Sequence, residues 1–345
     1  MSNIRGVSNN NNNRDRRATI YDVADLAGVS HQTVSRFLRG ERVREHTRIS
    51  VEKALDALDY HPNQLAKALA TNKSYRIAAF VQTGAQWALL EIMDGAAEAA
   101  RSAGYVLDLV TVDTDDAAAV AEAVDIMEQS SLAGAVVLAA SDAMLRALNA
   151  AQVECPVIVE RSARKNPGPY PEPDFAKGVR HLIDLGHRKF FFVSGPLDWP
   201  ASRARRKTLH ALAEEHEAEV LGEAEGDWSA QSGFEVMQSA FCLQAGATAI
   251  VCANDHMALG VLHWLQRNDV SVPEDMSVLG FDGLPDGAFY NPPLTSVAVD
   301  NRAFGSHIMQ RLFRRIGVKA RIVPTGGELV VRQTTSPPKA KLPEV

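Results

Sequence analysis

The chain has 345 residues, 46% hydrophobic and 23% charged, with a formal net charge of −6. Its length exceeds one ordinary core and predicts two or three domains of globular composition. No apolar run reaches the roughly 18–20 residues that span a bilayer, so no membrane association is expected.

Residues 1–17 have no apolar leader stretch. They carry five consecutive asparagines, Asn9 to Asn13, followed by Arg14, Arg16 and Arg17. Low complexity predicts a disordered tail, whose arginines can add nonspecific phosphate contacts. Cys155, Cys242 and Cys252 are too few and too scattered for a disulfide framework or a zinc site, and they fit a reducing cytoplasm. Charge is unevenly spread. Residues 1–74 hold 12 Lys+Arg against 8 Asp+Glu, a net of +4, and the remainder holds −10. A basic head on an acidic body suggests that the head alone meets a polyanion.

The stretch TIYDVADLAGVSHQTVSRFLR, residues 19–39, reads as two short helices joined by a tight turn. Thr19 and Asp22 form a capping box at the first helix. Val23, Leu26 and Ala27 make its apolar face, and Gly28 supplies the left-handed residue at its end. Val29 packs inward. Ser30 caps a second helix, His31 to Leu38, with Val34, Phe37 and Leu38 on one side. His31, Gln32, Ser35 and Arg36 lie on the other. Gln pairs adenine and Arg pairs guanine in a major groove, each through two hydrogen bonds. An ordinary amphipathic helix pair carries the same pattern. A third helix, about Thr47 to Leu58, has Ile49, Val51, Ala54, Leu55 and Leu58 as its stripe. Pro62 breaks it. Asn63 to Ala70 is a short helical stretch, marginal in isolation, with Leu65 and Leu69 on one edge.

From Arg76 strands and helices alternate. IAAFV, YVLDLVTV, AGAVVLAA, PVIVE, KFFFVSGP, ATAIVCA and SVLGFD are apolar strands. Helices are expected near 89–103, 116–129, 141–150, 175–185, 201–217, 230–240, 257–268 and 301–316. Continuous apolar strands between amphipathic helices mean parallel sheets covered on both faces, and the number of units predicts two doubly wound lobes. Ligands of such sheets bind at the carboxyl ends of strands. No dinucleotide fingerprint or P-loop follows any strand, so no cofactor is expected.

From about Ala18 to Thr335 the chain resembles the LacI/GalR family of transcriptional regulators. TIYDVADLAGVSHQTVSR is similar to its helix–turn–helix signature and YHPNQLAKALA to its hinge helix. HLIDLGHRKFFFVSGP, GDWSAQSGF, ANDHMALG, SVLGFDG and NPPLTSV follow as landmarks of its core, in the family's order. GDWSAQSGF is closest to the lactose-repressor branch. The resemblance implies an all-α helix–turn–helix DNA-binding head plus an α/β periplasmic-binding-protein-like core of two doubly wound lobes. The implied segments are a disordered tail (1–17), the head (18–62), a hinge helix and linker (63–74), a sugar-binding and dimerisation core (75–335) and a disordered tail (336–345).

It further implies a cytoplasmic homodimer on a pseudo-palindromic double-stranded operator, released by a sugar effector of the galactoside or glycoside type. His31, Gln32 and Arg36 would face base edges. Thr33, Ser35 and Asn63 would contact phosphate, and Leu69 would wedge into the minor groove. In the effector site the resemblance implies Arg205, Trp228, Asn254 and Asp282, together with an acidic position at Glu160 or Arg161. Trp87 is a candidate second aromatic plate. Strand-end chemistry agrees, since Asp282 can accept from two hydroxyls, Asn254 can donate and accept, and Trp228 offers a flat face. Asp255 is a candidate cap for a helix starting at His256.

The pattern departs from the branch in places. Val299 stands where a glutamine is expected, and Ala201 where a serine is, with Ser202 adjacent. Residues 162–173 carry four prolines. The tail SPPKAKLPEV has no leucine heptad, so a dimer is expected rather than a tetramer. The alternatives are a purine-type corepressor-dependent regulator, a solute receptor, or an enzyme. For an enzyme the chain shows no nucleophile elbow, zincin motif or paired Cys/His arrangement.

Overall fold

In the computed structural model the described residues are 18–38, 41–60, 73–83, 87–129, 131–138, 141–159, 172–239, 246–322 and 325–339. The chain forms two compact units, Met1–Lys73 and Ser74–Val345.

The first unit is built from local signals. α1 (Ile20–Ala27) is closed at its start by the expected capping box. The Asp22 carboxylate accepts from the Thr19 N–H at 2.7 Å, and the Asp22 N–H donates to the Thr19 hydroxyl at 3.4 Å. Gly28 ends the helix at φ 65°, where a side chain would be strained. α2 (His31–Leu38) starts with the Thr33 N–H on the Ser30 hydroxyl at 3.3 Å. α3 (Glu45–Ala57) begins two residues before the expected Thr47. Its first turn is braced by Arg48, which bonds Glu45 and reaches Glu52 at 2.7 Å. Val23, Ala24, Val34, Val51 and Ala54 form the small core, with Ile20, Ala27, Val29, Phe37 and Leu55 packed against it.

Two expected core residues lie outside it: Leu26 is 56% exposed and Ile49 is 42% exposed. At about 100° per residue, Ile49 falls on the face opposite Thr47 and Val51. Leu26 lies beyond the stripe set by Val23, Ala24 and Ala27.

The second unit holds two sheets. The first lobe contains β1 (Arg76–Gln82), α4 (Trp87–Ser102), β2 (Val106–Val112), α5 (Ala117–Gln129), β3 (Gly134–Val137), α6 (Asp142–Ala150) and β4 (Val157–Val159). Its strands run parallel in the order β2-β1-β3-β4. The second lobe contains α7 (Pro173–Asp184), β5 (Lys189–Ser194), α8 (Pro200–Glu215), β6 (Glu219–Glu225), α9 (Ala230–Ser239), β7 (Ala249–Cys252), α10 (Asp255–Arg267), β8 (Ser277–Asp282), a 3-10 turn (Pro285–Phe289) and β9 (Thr295–Val299). After α11 (Asn301–Arg315) the chain adds β10 (Gly327–Val330), antiparallel to β9. The order is β10-β9-β8-β7-β5-β6. In both sheets the winding reverses beside the first strand, so a ligand crevice opens at the carboxyl ends.

α11 follows a strand of the second lobe but fills the first. Its Ile308, Met309, Leu312 and Phe313 pack with Ile77, Ala96 and Ala100. It crosses α4 at two glycines. A Cβ at Gly95 would meet the Arg302 carbonyl at 1.9 Å, and one at Gly305 the Ile92 carbonyl at 1.9 Å. Arg302 also pairs with Asp94 and Glu98 of α4.

The expected disorder from residue 336 does not begin there. The Ser336 carbonyl accepts from His187 at 2.8 Å, its N–H donates to the Ser277 hydroxyl at 3.1 Å, and Lys339 pairs with Asp275. These bonds fix the tail through Lys339 onto the second lobe.

Candidate functional site

The head presents a polar helix face. His31, Gln32 and Arg36 are exposed, Thr33 and Ser35 are half-buried, and Val34 between them is fully buried. Burial of Val34 turns the polar residues outward. The Arg36 Nε donates to Glu41 at 3.1 Å. Exposed charges at such a distance are weakly held, so the guanidinium can exchange partners. The Tyr21 ring, 61% exposed, lies 5.0 Å from that of His31. Tyr21 was missed by sequence reasoning. An exposed aromatic on the outer face of α1, beside a turn, was the available sign. Asn63 and Leu69 lie outside the described residues.

Within the second unit the two sheets face one another across a cleft of about 660 Å³. Arg205, Trp228, Asn254 and Asp282 all line it, from four segments distant in sequence. Arg205 projects from the second turn of α8. Its guanidinium carbon lies 4.2 Å from the Phe281 ring centroid and 5.4 Å from that of Trp228. Such stacking fixes a planar cation while leaving its edges free to bond. One edge donates to the Ala253 carbonyl, and Arg205 Nη2 lies 3.9 Å from Asp282 Oδ1. The buried Nε has no partner among the described residues. Arg205 and Asp282 are only 13% and 16% exposed, so their spare donors and acceptors open into the cleft rather than into bulk water.

Burial pushes the Asp282 carboxyl up to about 6, against the opposing pull of Arg205. Asp282 stands at φ 107°, a strained position at the end of β8. Asp255 holds the turn that follows. It is fully buried and accepts from the Ser296 hydroxyl at 2.6 Å and the Leu284 N–H at 2.7 Å. Burial, with the Asp282 charge nearby, pushes Asp255 up to about 7.

Asp255 is therefore not the helix cap. Asn254 is: its Oδ1 accepts from the Met257 N–H at 2.9 Å, and α10 begins at Asp255. The Asn254 Nδ2 donates to the Trp228 carbonyl at 2.9 Å. That bond steadies Trp228 at φ 75°. Gly195, just after β5, makes room for the indole, which a Cβ there would meet at 2.3 Å.

Val299 and Ala201 line the cleft as apolar positions. Ser202 is fully buried, and its hydroxyl has no partner among the described residues. Ala88, Leu89 and Ile92 of α4 close the other side. Glu160, Arg161 and the Trp87 side chain lie outside the described residues. Sequence reasoning missed Trp199, whose ring meets Trp228 edge-on at 6.4 Å, as well as Thr114, Asp115 and Asp198. Thr114 and Asp115 follow β2, and Asp198 and Trp199 follow β5, so the strand-end rule applied to every strand would have found all four. Arg203 bridges the lobes at the rim, gripping both Asp142 oxygens at 2.9 and 3.1 Å. No group of His, Cys, Asp and Glu among the described residues is arranged to hold a metal ion. No helix among them is long and apolar enough to cross a membrane.

Comparison with known proteins finds relatives of both units. Residues 19–63 match the bacterial regulatory proteins of the lacI family, and residues 179–335 match the periplasmic binding protein-like domain. The chain is 32% identical over 337 residues to the lactose operon repressor of Escherichia coli (strain K12), covering 94% of this chain and 92% of that protein. It is 28% identical over 333 residues to the transcriptional repressor PurR of Mannheimia succiniciproducens, covering 92% and 98%. The crystal structure of the lac repressor dimer bound to operator and the anti-inducer ONPF matches with a TM-score of 0.76 at 30% identity, covering 93% of this chain and all of that one.

Proposed function

Because the chain belongs to the LacI family of bacterial DNA-binding transcriptional repressors, which are not enzymes, we propose that it is a dimeric repressor released from its operator by a sugar. The observation that carries the sugar reading is Arg205. It lies over the Phe281 ring and close to that of Trp228, 3.9 Å from Asp282, with donors left unused by the protein. Vicinal hydroxyls need this pairing of a fixed donor fork with a carboxylate acceptor, and an aromatic face such as Trp228 suits the C–H side of a pyranose. Asn254 contributes by holding Trp228 in place.

On the DNA side, His31, Gln32 and Arg36 read base edges. Thr33, Ser35 and Asn63 contact phosphate, and Leu69 opens the central minor-groove step. Two copies read the two halves of a pseudo-palindromic site. Effector and operator favour different arrangements of the core. Each therefore weakens the other by the same factor, with a coupling of about 1–3 kcal/mol.

The PurR relative at 28% identity favours a second reading, a corepressor that tightens DNA binding. Operator affinity measured with and without a panel of galactosides, glucosides and free purine bases separates the two. A sugar should weaken operator binding about 5- to 150-fold. Tightening by a purine, with no effect of any sugar, would overturn the sugar reading. Asp282 accepts best when ionised. Sugar affinity should therefore be full at neutral pH and fall as pH drops through about 6.

A further inference from the structure

The charged pair of the cleft, Arg205 and Asp282, belongs to the second lobe. On the other side α4 and α11 line the cleft with the apolar Ala88, Leu89, Ile92 and Phe304. Among the described lining residues of these two helices, the polar one is Asn301. It is the first residue of α11, placed where the chain enters the first lobe from β9, and it is only 6% exposed. An asparagine at a helix start ordinarily serves as the cap. Here Asp300 does so, accepting from the Ala303 N–H at 2.8 Å, and Asn301 has no capping duty.

The Asn301 amide is engaged at one end only. Its Nδ2 donates to Glu91 Oε2 of α4 at a long 3.5 Å. A carboxylate only accepts, so Glu91 sets which end of the amide is which and leaves the carbonyl oxygen as the free end. No donor among the described residues reaches that oxygen. The partnerless polar atoms that are sealed inside the described protein belong to Thr114, Ser202 and Arg205. The Asn301 oxygen is not one of them, so it opens onto the cleft that the residue lines. Its seat is firm. The adjoining Arg302 pairs with Asp94 and Glu98, and the Ser306 hydroxyl donates to the Gly95 carbonyl at 3.1 Å, all on α4. One acceptor is thus held at a fixed point of an otherwise apolar wall.

We propose that Asn301 is a specificity-determining residue of the effector site, its amide oxygen accepting a hydrogen bond from one hydroxyl of the sugar. A ligand that covers this oxygen cuts it off from water and must bring a donor in exchange. A hydroxyl is such a donor and a C–H is not. The apolar surroundings lower the local dielectric and make the difference larger. The same sugar is held by Arg205 and Asp282 on one lobe and by Asn301 on the other, so it ties the two lobes together. The inference rests on the sugar reading of the cleft.

The test pairs a deletion in the ligand with a deletion in the protein. Galactose, glucose, lactose and cellobiose, with the monodeoxy analogues of each, are titrated calorimetrically into the full chain as wild type, Asn301→Ala and Asn301→Leu. Leucine keeps about the volume of asparagine and removes only its polarity. For the sugar that binds best, loss of one particular hydroxyl should weaken binding to the wild type about tenfold. Both variants should bind that sugar and its deoxy form within about twofold of each other, while the penalties for the other hydroxyls stay as in the wild type. A residue with only a structural role would shift the whole series alike. If no single penalty disappears in the variants, or if all shrink together, the assignment of Asn301 fails and the sugar reading stands. If neither variant folds, the amide serves the fold and the assignment fails as well. If no sugar of the panel binds the wild type, the sugar reading fails and the assignment with it.

Discussion

The head and the cleft solve the problem of presenting polar groups in opposite ways. In the head, the outward residues of α2 are set by their neighbours in sequence. Ser30 caps the helix, buried Val34 turns it, and the rest face solvent. In the cleft, the groups offered to a ligand are set by residues distant in sequence. Arg205 depends on Phe281 and Trp228, Trp228 on Asn254 and Gly195, and Asp282 on a turn that Asp255 ties to Ser296. A local device loses its parts one at a time. A distributed one fails as a unit, because its members share partners.

Substitutions can sharpen or break that contrast. The largest effect is expected where the core has no slack. Gly305→Val drives side-chain atoms into the Ile92 carbonyl and should destabilise the core by about 3 kcal/mol or more, read as a lowered denaturant midpoint. Next is Arg205→Ala, which strips Asp282 of its counter-charge and the ligand of its donor fork. Effector affinity should fall by about 3 kcal/mol in titration calorimetry, with operator affinity unchanged in the absence of effector. Combined with Asp282→Asn, the two losses should fall short of additivity by at least about 0.5 kcal/mol. Simple addition would break the picture of a unit. In the head, Arg36→Ala should cost about 2 kcal/mol of operator binding and relax selection at one base pair, leaving effector affinity unchanged.

A smaller effect concerns pH. The native carboxyls of Asp255 and Asp282 sit at about 7 and about 6, above the usual carboxylate value of 3.8. The folded protein therefore holds these protons more tightly than the unfolded chain does. Stability should fall as pH rises through that window. The melting temperature of the wild type should drop between pH 5 and pH 8. Asp255→Asn should flatten that slope, although it loses one of the two acceptors serving Ser296 and Leu284. The smallest effect is Thr19→Ala. Losing one half of a capping box should cost the head about 1 kcal/mol in thermal unfolding.

The same contrast explains what the sequence disclosed. Thr19, Asp22 and Gly28 announce α1 because caps act over three or four residues. Leu26 and Ile49 misled because an apolar residue adjoining a stripe is counted with it unless its angle is checked. In the core, Arg205, Trp228, Asn254 and Asp282 came from a family pattern, and the fold gathers them round one cavity. Trp199 and Thr114 stand just past strand ends, which marks them as candidates, but nothing in LDWP or VDT says that these two strand ends from different lobes converge. β6, β9 and β10 escaped: β6 and β10 are half-buried edge strands, and neither EVLGEAE nor the short TSVAV of β9 has a long continuous apolar run. The stripe of α11 was readable, but a stripe does not say which sheet it covers.

That last point bears on how such a protein can be rebuilt. The first lobe is assembled from two separated pieces of chain, 76–159 and 301–315, the second threaded in after β9 is complete. A lobe is therefore not a cassette. Transplanting residues 76–159 from a homologue would bring a foreign α4 against the resident α11, at a crossing where Gly95 and Gly305 admit no side chain on either helix. Recombination that leaves both halves foldable must exchange the two pieces together, as one inheritance split across the gene.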